Sequence, residues 1–146
     1  PKALDFRAED RDMTPSLVAL CGFAAWTMLL VFSLAGVRML TTARTGKALN
    51  TFQADGADLE GLGRRLTRAH LNCVEFLPVA GAVILSAAVS GHADVTDGLA
   101  MPLLFARLGQ SLVHLASTAT PMVLARASLF LVQLAIVATW IVRLLG

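Results

Sequence analysis

Tyrosine is absent from this chain of 146 residues, and cysteine occurs only twice, at Cys21 and Cys73. Two cysteines do not make a disulfide framework. They fall in different apolar segments and in opposite leaflets of the topology argued below, too far apart for the 7 Å or so that a disulfide allows between Cα atoms. Both are expected to be free thiols acting as small buried hydrophobes. Charge is scarce as well: 15% of residues are Asp, Glu, Lys or Arg, against about 25% in soluble domains. The net charge of +2 gives no basic surface of the kind a nucleic-acid partner requires. No glycine-rich phosphate loop precedes a helix, and no Ser-His-Asp set would be brought together by the topology. The three histidines, His70, His92 and His114, lie on separate segments without ligand spacing, so no metal site is expected. Residues 1–12 lack the apolar core and small-residue cleavage site of a secretory signal. Met13, followed by Thr-Pro and an apolar run, is placed as a natural initiator would be, so residues 1–13 read as a polar N-terminal extension.

What the chain has in excess is apolar surface: 56% of residues are hydrophobic and the mean hydropathy is +0.70. A membrane-spanning helix needs about 20 apolar residues at 1.5 Å rise each. Ser16–Val37 has no charge, Leu71–Gly91 only Glu75, Gly98–Thr120 only Arg107, and Pro121–Val142 only Arg126. The chain from residue 14 to 146 is therefore expected to be all-α, an integral membrane four-helix bundle that is left-handed and antiparallel. Its spans lie at about 16–40, 65–91, 98–119 and 121–144. Pro121 begins the fourth helix, since a proline loses nothing at a position whose N–H is unpaired anyway. From Arg38 to Arg68, in and around the loop at 41–63, the basic residues are Arg38, Arg44, Lys47, Arg64, Arg65 and Arg68, whereas the loop between spans two and three carries Asp94 and Asp97 and no Lys or Arg. The positive-inside rule places the 41–63 loop in the cytoplasm and both termini outside. The predominance of arginine over lysine, with abundant Ala and Leu, suits a GC-rich genome, so a bacterial inner membrane is the expected setting.

Polar groups within spans are costly and mark function by default. Arg68, Asn72 and Glu75 fall within about 60° of one another on a helix, a single stripe near the start of span two. Arg107, Gln110, His114 and Thr118 form a second stripe in span three, and Arg126 and Gln133 share a face in span four. The simplest packing turns the three stripes toward one another or toward a helix–helix interface. Neutralising one arginine would suffice to explain Glu75, and Asn72 and Gln110 would serve as inter-helix hydrogen-bond partners. Arg38, Arg65, Arg68, Arg107 and Arg126, however, face a single intramembrane carboxylate, Glu75. A basic surplus of that kind suits an anion site.

The string RLTRAHLNCVEFLP at residues 65–78 resembles the signature that opens the second helix of the MAPEG family, the membrane-associated proteins of eicosanoid and glutathione metabolism. Its elements here are Arg68, Ala69-His70, Asn72, Glu75 and Pro78. The run Ala25–Leu30, the Thr45-Gly46-Lys47 turn, Asp55–Asp58 and the R-x-x-Q-x-x-x-H pattern from Arg107 to His114 also resemble bacterial members. The resemblance covers about residues 14–146. It implies a homotrimer in which glutathione binds at the subunit interface, within the membrane and open to the cytoplasmic side. It also implies that Arg38, Arg68, Asn72, Glu75 and Arg107 stand at the family's glutathione-binding positions. Gln110 and His114 stand where many members place tyrosines, and either can hydrogen-bond a ligand. Arg126 is the candidate for the fourth-helix arginine that stabilises the thiolate.

The chemistry agrees with these residue types. Arginine holds carboxylates bidentately, and a guanidinium beside a thiol favours its nucleophilic charged form. The resemblance thus implies a membrane-bound glutathione-dependent transferase or peroxidase acting on lipophilic electrophiles or lipid hydroperoxides. Its partners are membrane lipids, a lipophilic small-molecule substrate and two further copies of the chain. The alternative is a non-catalytic protein of the same fold that binds a lipid or another anionic ligand, or serves as a structural subunit of a membrane complex. The missing tyrosines, and Leu71 where some animal members are basic, favour that alternative. A transporter would show broken helices and inverted repeats, and neither is evident.

Overall fold

The computed structural model describes residues 13–146; the polar extension before Met13 lies outside the described residues. Four helices account for nearly all of them: α1 at Pro15–Thr45, α2 at Gly61–Val89, α3 at Asp94–Ala116 and α4 at Thr120–Leu145. A short 3₁₀ turn at Leu49–Thr51 interrupts the α1–α2 loop, and no strand occurs among the described residues. All four helices are long and apolar enough to cross a membrane.

The boundaries follow local chemistry. Thr14 caps α1 by accepting a hydrogen bond from the Leu17 N–H at 3.4 Å, with Pro15 at the first helical position, where its fixed φ suits the helix. Gly46 ends the helix in the left-handed conformation, its N–H returning to the Thr42 carbonyl at 2.9 Å. At 31 residues, α1 is about 46 Å long and outreaches the roughly 30 Å hydrocarbon core. The helix therefore continues past the expected end at residue 40 into polar surroundings. α3 begins at Asp94 instead of 98. Asp94 and Asp97, read from hydropathy as loop residues, occupy its first turn, where the helix dipole favours acids. Likewise α2 starts at Gly61 and α4 at Thr120, each slightly before the apolar run begins.

Asp97 also joins two helices. Its Oδ1 accepts the Ser16 N–H at 3.0 Å and the Ser16 hydroxyl at 2.6 Å, and Ser16 Oγ lies 2.7 Å from Thr96 Oγ1. A carboxylate on α3 thereby satisfies a backbone donor in the first turn of α1 that has no partner within its own helix. Asp97→Ala is expected to cost about 1–2 kcal/mol, read as a lower melting temperature in detergent; an unchanged melt would show that water replaces the cap.

α1, α2 and α3 pack against one another, α4 packs mainly on α3 and touches α2 more lightly, and α1 and α4 do not meet. Phe23, Phe76, Ile84, Leu103 and Trp140 fill the interior. Cys73 is buried among them, whereas Cys21 is exposed, and both are free thiols. Burial was expected for both; Cys21 instead lies on an outer face of α1. Large apolar side chains such as Phe32, Phe105 and Leu131 face outward, as a lipid-facing or partner-facing surface requires. The light contact of α4 with α2 leaves a groove along their shared side.

The α1–α2 loop is pinned to the bundle end. Lys47 and Asp58 form an ion pair, and Asp58 Oδ1 also accepts the Gln53 N–H at 3.1 Å. Lys47 and Arg38 lie 4.7 and 5.7 Å from the Phe52 ring centroid, and Arg38 donates to the Gln53 carbonyl at 3.0 Å. Gly56 is buried at φ 68°, and a Cβ there would fall 2.6 Å from the Thr67 hydroxyl, so conformation and space both demand glycine. The Lys47 hydrogen bond holds the Asp58 carboxyl below its ordinary value of 3.8. The pairing therefore contributes fully above that value and is lost as pH falls through the lower folded-state value. The melting difference between the native chain and Lys47→Ala is expected to be constant from neutral pH to about pH 4 and to shrink below it. A difference that persists in stronger acid would separate Lys47 from Asp58.

Candidate functional site

The sequence stripes on α2, α3 and α4 converge at the loop end of the bundle. Arg107 of α3 is fully buried. It donates to the side-chain oxygen of Asn72 on α2 through Nη1. Its guanidinium lies between two rings, 5.1 Å from the centroid of Phe23 on α1 and 4.6 Å from that of Phe76 on α2. The facing π-clouds offset part of the cost of burying a cation. Its Nε and Nη2 have no hydrogen-bond partner. One turn on, Gln110 accepts from Gln133 of α4 at 2.9 Å, and the Gln133 amide nitrogen also meets the Leu129 carbonyl at 2.9 Å. A further turn along, Arg126 Nη1 of α4 lies 3.2 Å from His114 Nδ1 of α3. A guanidinium only donates, so Nδ1 accepts and the ring proton sits on Nε2. Arg65 tethers the end of α3 by donating to the Leu115 carbonyl at 2.8 Å.

Two polar cavities open along the groove. One, of about 320 Å³, is lined by Asp55, Ala57, Arg64, Arg68, Leu71, Asn72, Glu75 and His114. The other, of about 430 Å³, is lined by Gly61, Arg64, Arg65, Arg68, Thr118 and Arg126. Farther along, Asn72 and Glu75 also border an apolar cavity of about 240 Å³ with Phe76, Val79, Phe130 and Leu134. The expected residues thus divide by depth. Arg68, Asn72, Glu75, His114 and Arg126 line the cavities. Arg107 and Gln110 stand behind them, buried and lining neither polar cavity. Arg38 lies at the α1–α2 loop instead, bonded to Gln53. Glu75 forms no ion pair among the described residues, where Lys47–Asp58 is the salt bridge.

Four participants escaped the sequence reading. Arg64, four residues before Arg68 on the same helix face, was within reach of periodicity. Asp55 was not, because only the folded loop carries it to the cavity wall. Phe23 and Phe76 gave no signal beyond ordinary core residues. Among the described residues, no His, Cys, Asp and Glu group could hold a metal.

This arrangement suits a ligand with charges of both signs, held at the polar end of a groove whose middle is apolar. Comparison with known proteins gives one match: a family model described as MAPEG family, covering residues 16–146. Neither the comparison with curated proteins nor that with solved structures gave a match.

Proposed function

The chain belongs to the MAPEG family, and from that premise we propose that it is a membrane-bound glutathione-dependent transferase or peroxidase acting on lipophilic electrophiles or lipid hydroperoxides. One observation carries this reading. The 320 Å³ cavity with charges of both signs and the 240 Å³ apolar cavity share Asn72 and Glu75. A zwitterionic peptide thiol and an apolar substrate dissolved in lipid would meet at that boundary.

In this reading Arg68 and Arg64 hold glutathione carboxylates, bidentately where geometry allows. Glu75 and Asp55 face its ammonium group. Asn72 donates or accepts through an amide whose orientation is fixed by Arg107, which makes Arg107 a positioning residue. Arg126, with His114 as its acceptor, lies on the opposite side of the groove and stabilises the thiolate. For an electrophile, the thiol gives up its proton and the sulfur bonds to carbon, while the carbon's bond to its leaving group breaks and that group departs with the electron pair, or, at a polarised double bond, the π bond breaks and the adjacent atom takes up a proton from solvent. For a hydroperoxide, two glutathiones supply two electrons and two protons, giving an alcohol, water and the glutathione disulfide. The open α2–α4 groove is consistent with a site completed by a neighbouring copy in a homotrimer, where Arg38, remote from the groove within one chain, would contribute from the partner's side. In this reading the membrane is a bacterial inner membrane and the loop end faces the cytoplasm, an orientation that its excess of bases supports.

Titrating the detergent-purified protein with glutathione and following ultraviolet thiolate absorbance tests the proposal. Saturable thiolate formation is the expected result. An intact assembly that binds no glutathione would favour the second reading, a non-catalytic member whose arginine-lined groove holds a different anion. The absence of tyrosine is the feature that supports that second reading.

A further inference from the structure

The α1–α2 loop concentrates its contacts on one short turn. Lys47, just past the end of α1 at Thr45, pairs with Asp58, just before α2 begins at Gly61. The second carboxylate oxygen of Asp58 accepts the Gln53 N–H at 3.1 Å. The Gln53 carbonyl in turn accepts Arg38 Nη2 at 3.0 Å and the Gly56 N–H at 3.2 Å, which closes a turn over residues 53–56. The neighbouring Phe52 ring has the cations of both Lys47 and Arg38 beside it. Both backbone groups of Gln53 are thus engaged, and the ion pair reaches them through Asp58.

What the turn carries is Asp55. Its Oδ1 accepts the Ala57 N–H at 3.0 Å, and the residue stands on the wall of the 320 Å³ cavity. Lys47, Phe52, Gln53 and Asp58 line neither polar cavity. Gly56, close against Thr67, sets how near the turn lies to α2, and the buried Leu59 anchors its far side. Fixing the backbone of one residue costs about 1–2 kcal/mol. A carboxylate on a loose loop would incur that cost as the ligand binds and would add little affinity. Here the ordering accompanies folding, so Asp55 is already in place. An ion pair of this exposure adds little stability by itself; its consequence lies in what it holds.

We propose that Lys47 and Asp58 are positioning residues: by holding the turn that carries Asp55, they make the groove selective for a thiol with a free ammonium group. This selectivity rests on the reading above, in which the ammonium of glutathione faces Asp55 and Glu75. Glu75 is on α2 and needs no loop to place it, so its contribution is the same with or without the ion pair. The share of ammonium recognition that passes through Asp55 depends on the pair. A loop contact outside the cavity therefore sets which thiols the cavity prefers.

The test titrates the full chain in detergent with glutathione and with glutaryl-cysteinylglycine, which is glutathione with hydrogen in place of the ammonium group. The native chain is expected to bind glutathione about tenfold more tightly than this analogue, as a charge-assisted contact implies. Asp55 is exposed, so Asp55→Asn removes the charge without disturbing the turn; it is expected to cut the preference to about threefold or less. Lys47→Ala and Asp58→Ala are expected to do the same, by weakening glutathione and leaving the analogue nearly unchanged. Lys47→Arg, which keeps the charge, should restore the preference. Added to Asp55→Asn, Lys47→Ala should bring no further loss, because both act through one carboxylate. A general loosening of the site would instead weaken both thiols alike and leave their ratio intact. A preference that survives Lys47→Ala and Asp58→Ala, or one indifferent to Asp55→Asn, would overturn the assignment while glutathione binding stands. Binding of neither thiol by the native chain would overturn it together with the glutathione reading.

Discussion

Arg126→Ala is expected to lower turnover of a lipophilic electrophile with glutathione by about 10²-fold or more and to eliminate the thiolate absorbance, while the protein still assembles and melts near the native temperature. The size follows from what the side chain does. A guanidinium beside the sulfur stabilises the charge of the reacting form, and one held by the fold where that charge develops is worth far more than a mobile charge on an exposed surface. Little structural loss is expected, because Arg126 is only half-buried and its contact with His114 at 3.2 Å is one that water can replace. Arg126→Lys retains a charge without the planar fork and should recover part of the thiolate signal. Full activity in Arg126→Ala would remove this residue from the reaction and move attention to Arg68.

Asn72→Leu is expected to be the most damaging single change to stability, at about 3 kcal/mol. The loss of a hydrogen bond is the smaller part. The greater part is the guanidinium of Arg107, fully buried, with two nitrogens already unpartnered and its main side-chain acceptor removed. Asn72→Leu combined with Arg107→Met should therefore be considerably less destabilised than the sum of the two single changes, since the double variant buries no unpaired charge. Melting of the four proteins in one detergent measures this directly. Strict additivity would mean that the two side chains do not depend on each other, and that the aromatic pair Phe23 and Phe76 alone accommodates Arg107.

The stripes were legible because helical periodicity is strict. Once Arg68, Asn72 and Glu75 are on one helix, the 3.6-residue repeat places them on one face, and it likewise puts Gln110 on the face of Arg107 and Gln133 on that of Arg126. The helix starts were less legible. Hydropathy assigns Asp94 and Asp97 to a loop, whereas the first turn of a helix is where their charge is most welcome. Periodicity alone also does not separate a buried polar residue from one that lines a cavity. Arg107 and Arg68 look alike in sequence, yet one is enclosed between two rings and the other borders open space.

Taken alone, the sequence determined the four spans, the clustering of polar groups at one end, the surplus of arginine over intramembrane carboxylate and the family resemblance. Each depends on local order along one helix or on composition, and neither requires knowing which helices touch. Tertiary structure decided the rest. It set α4 against α3 with only light contact to α2, which opens the groove. It folded the α1–α2 loop back through Gly56 so that Asp55 borders the cavity. It also separated a cavity with both signs of charge from one lined by arginine. Those outcomes depend on the relative rotation of packed helices and on the path of one loop. Both are fixed by contacts between residues far apart in the chain, which no reading of neighbours can supply.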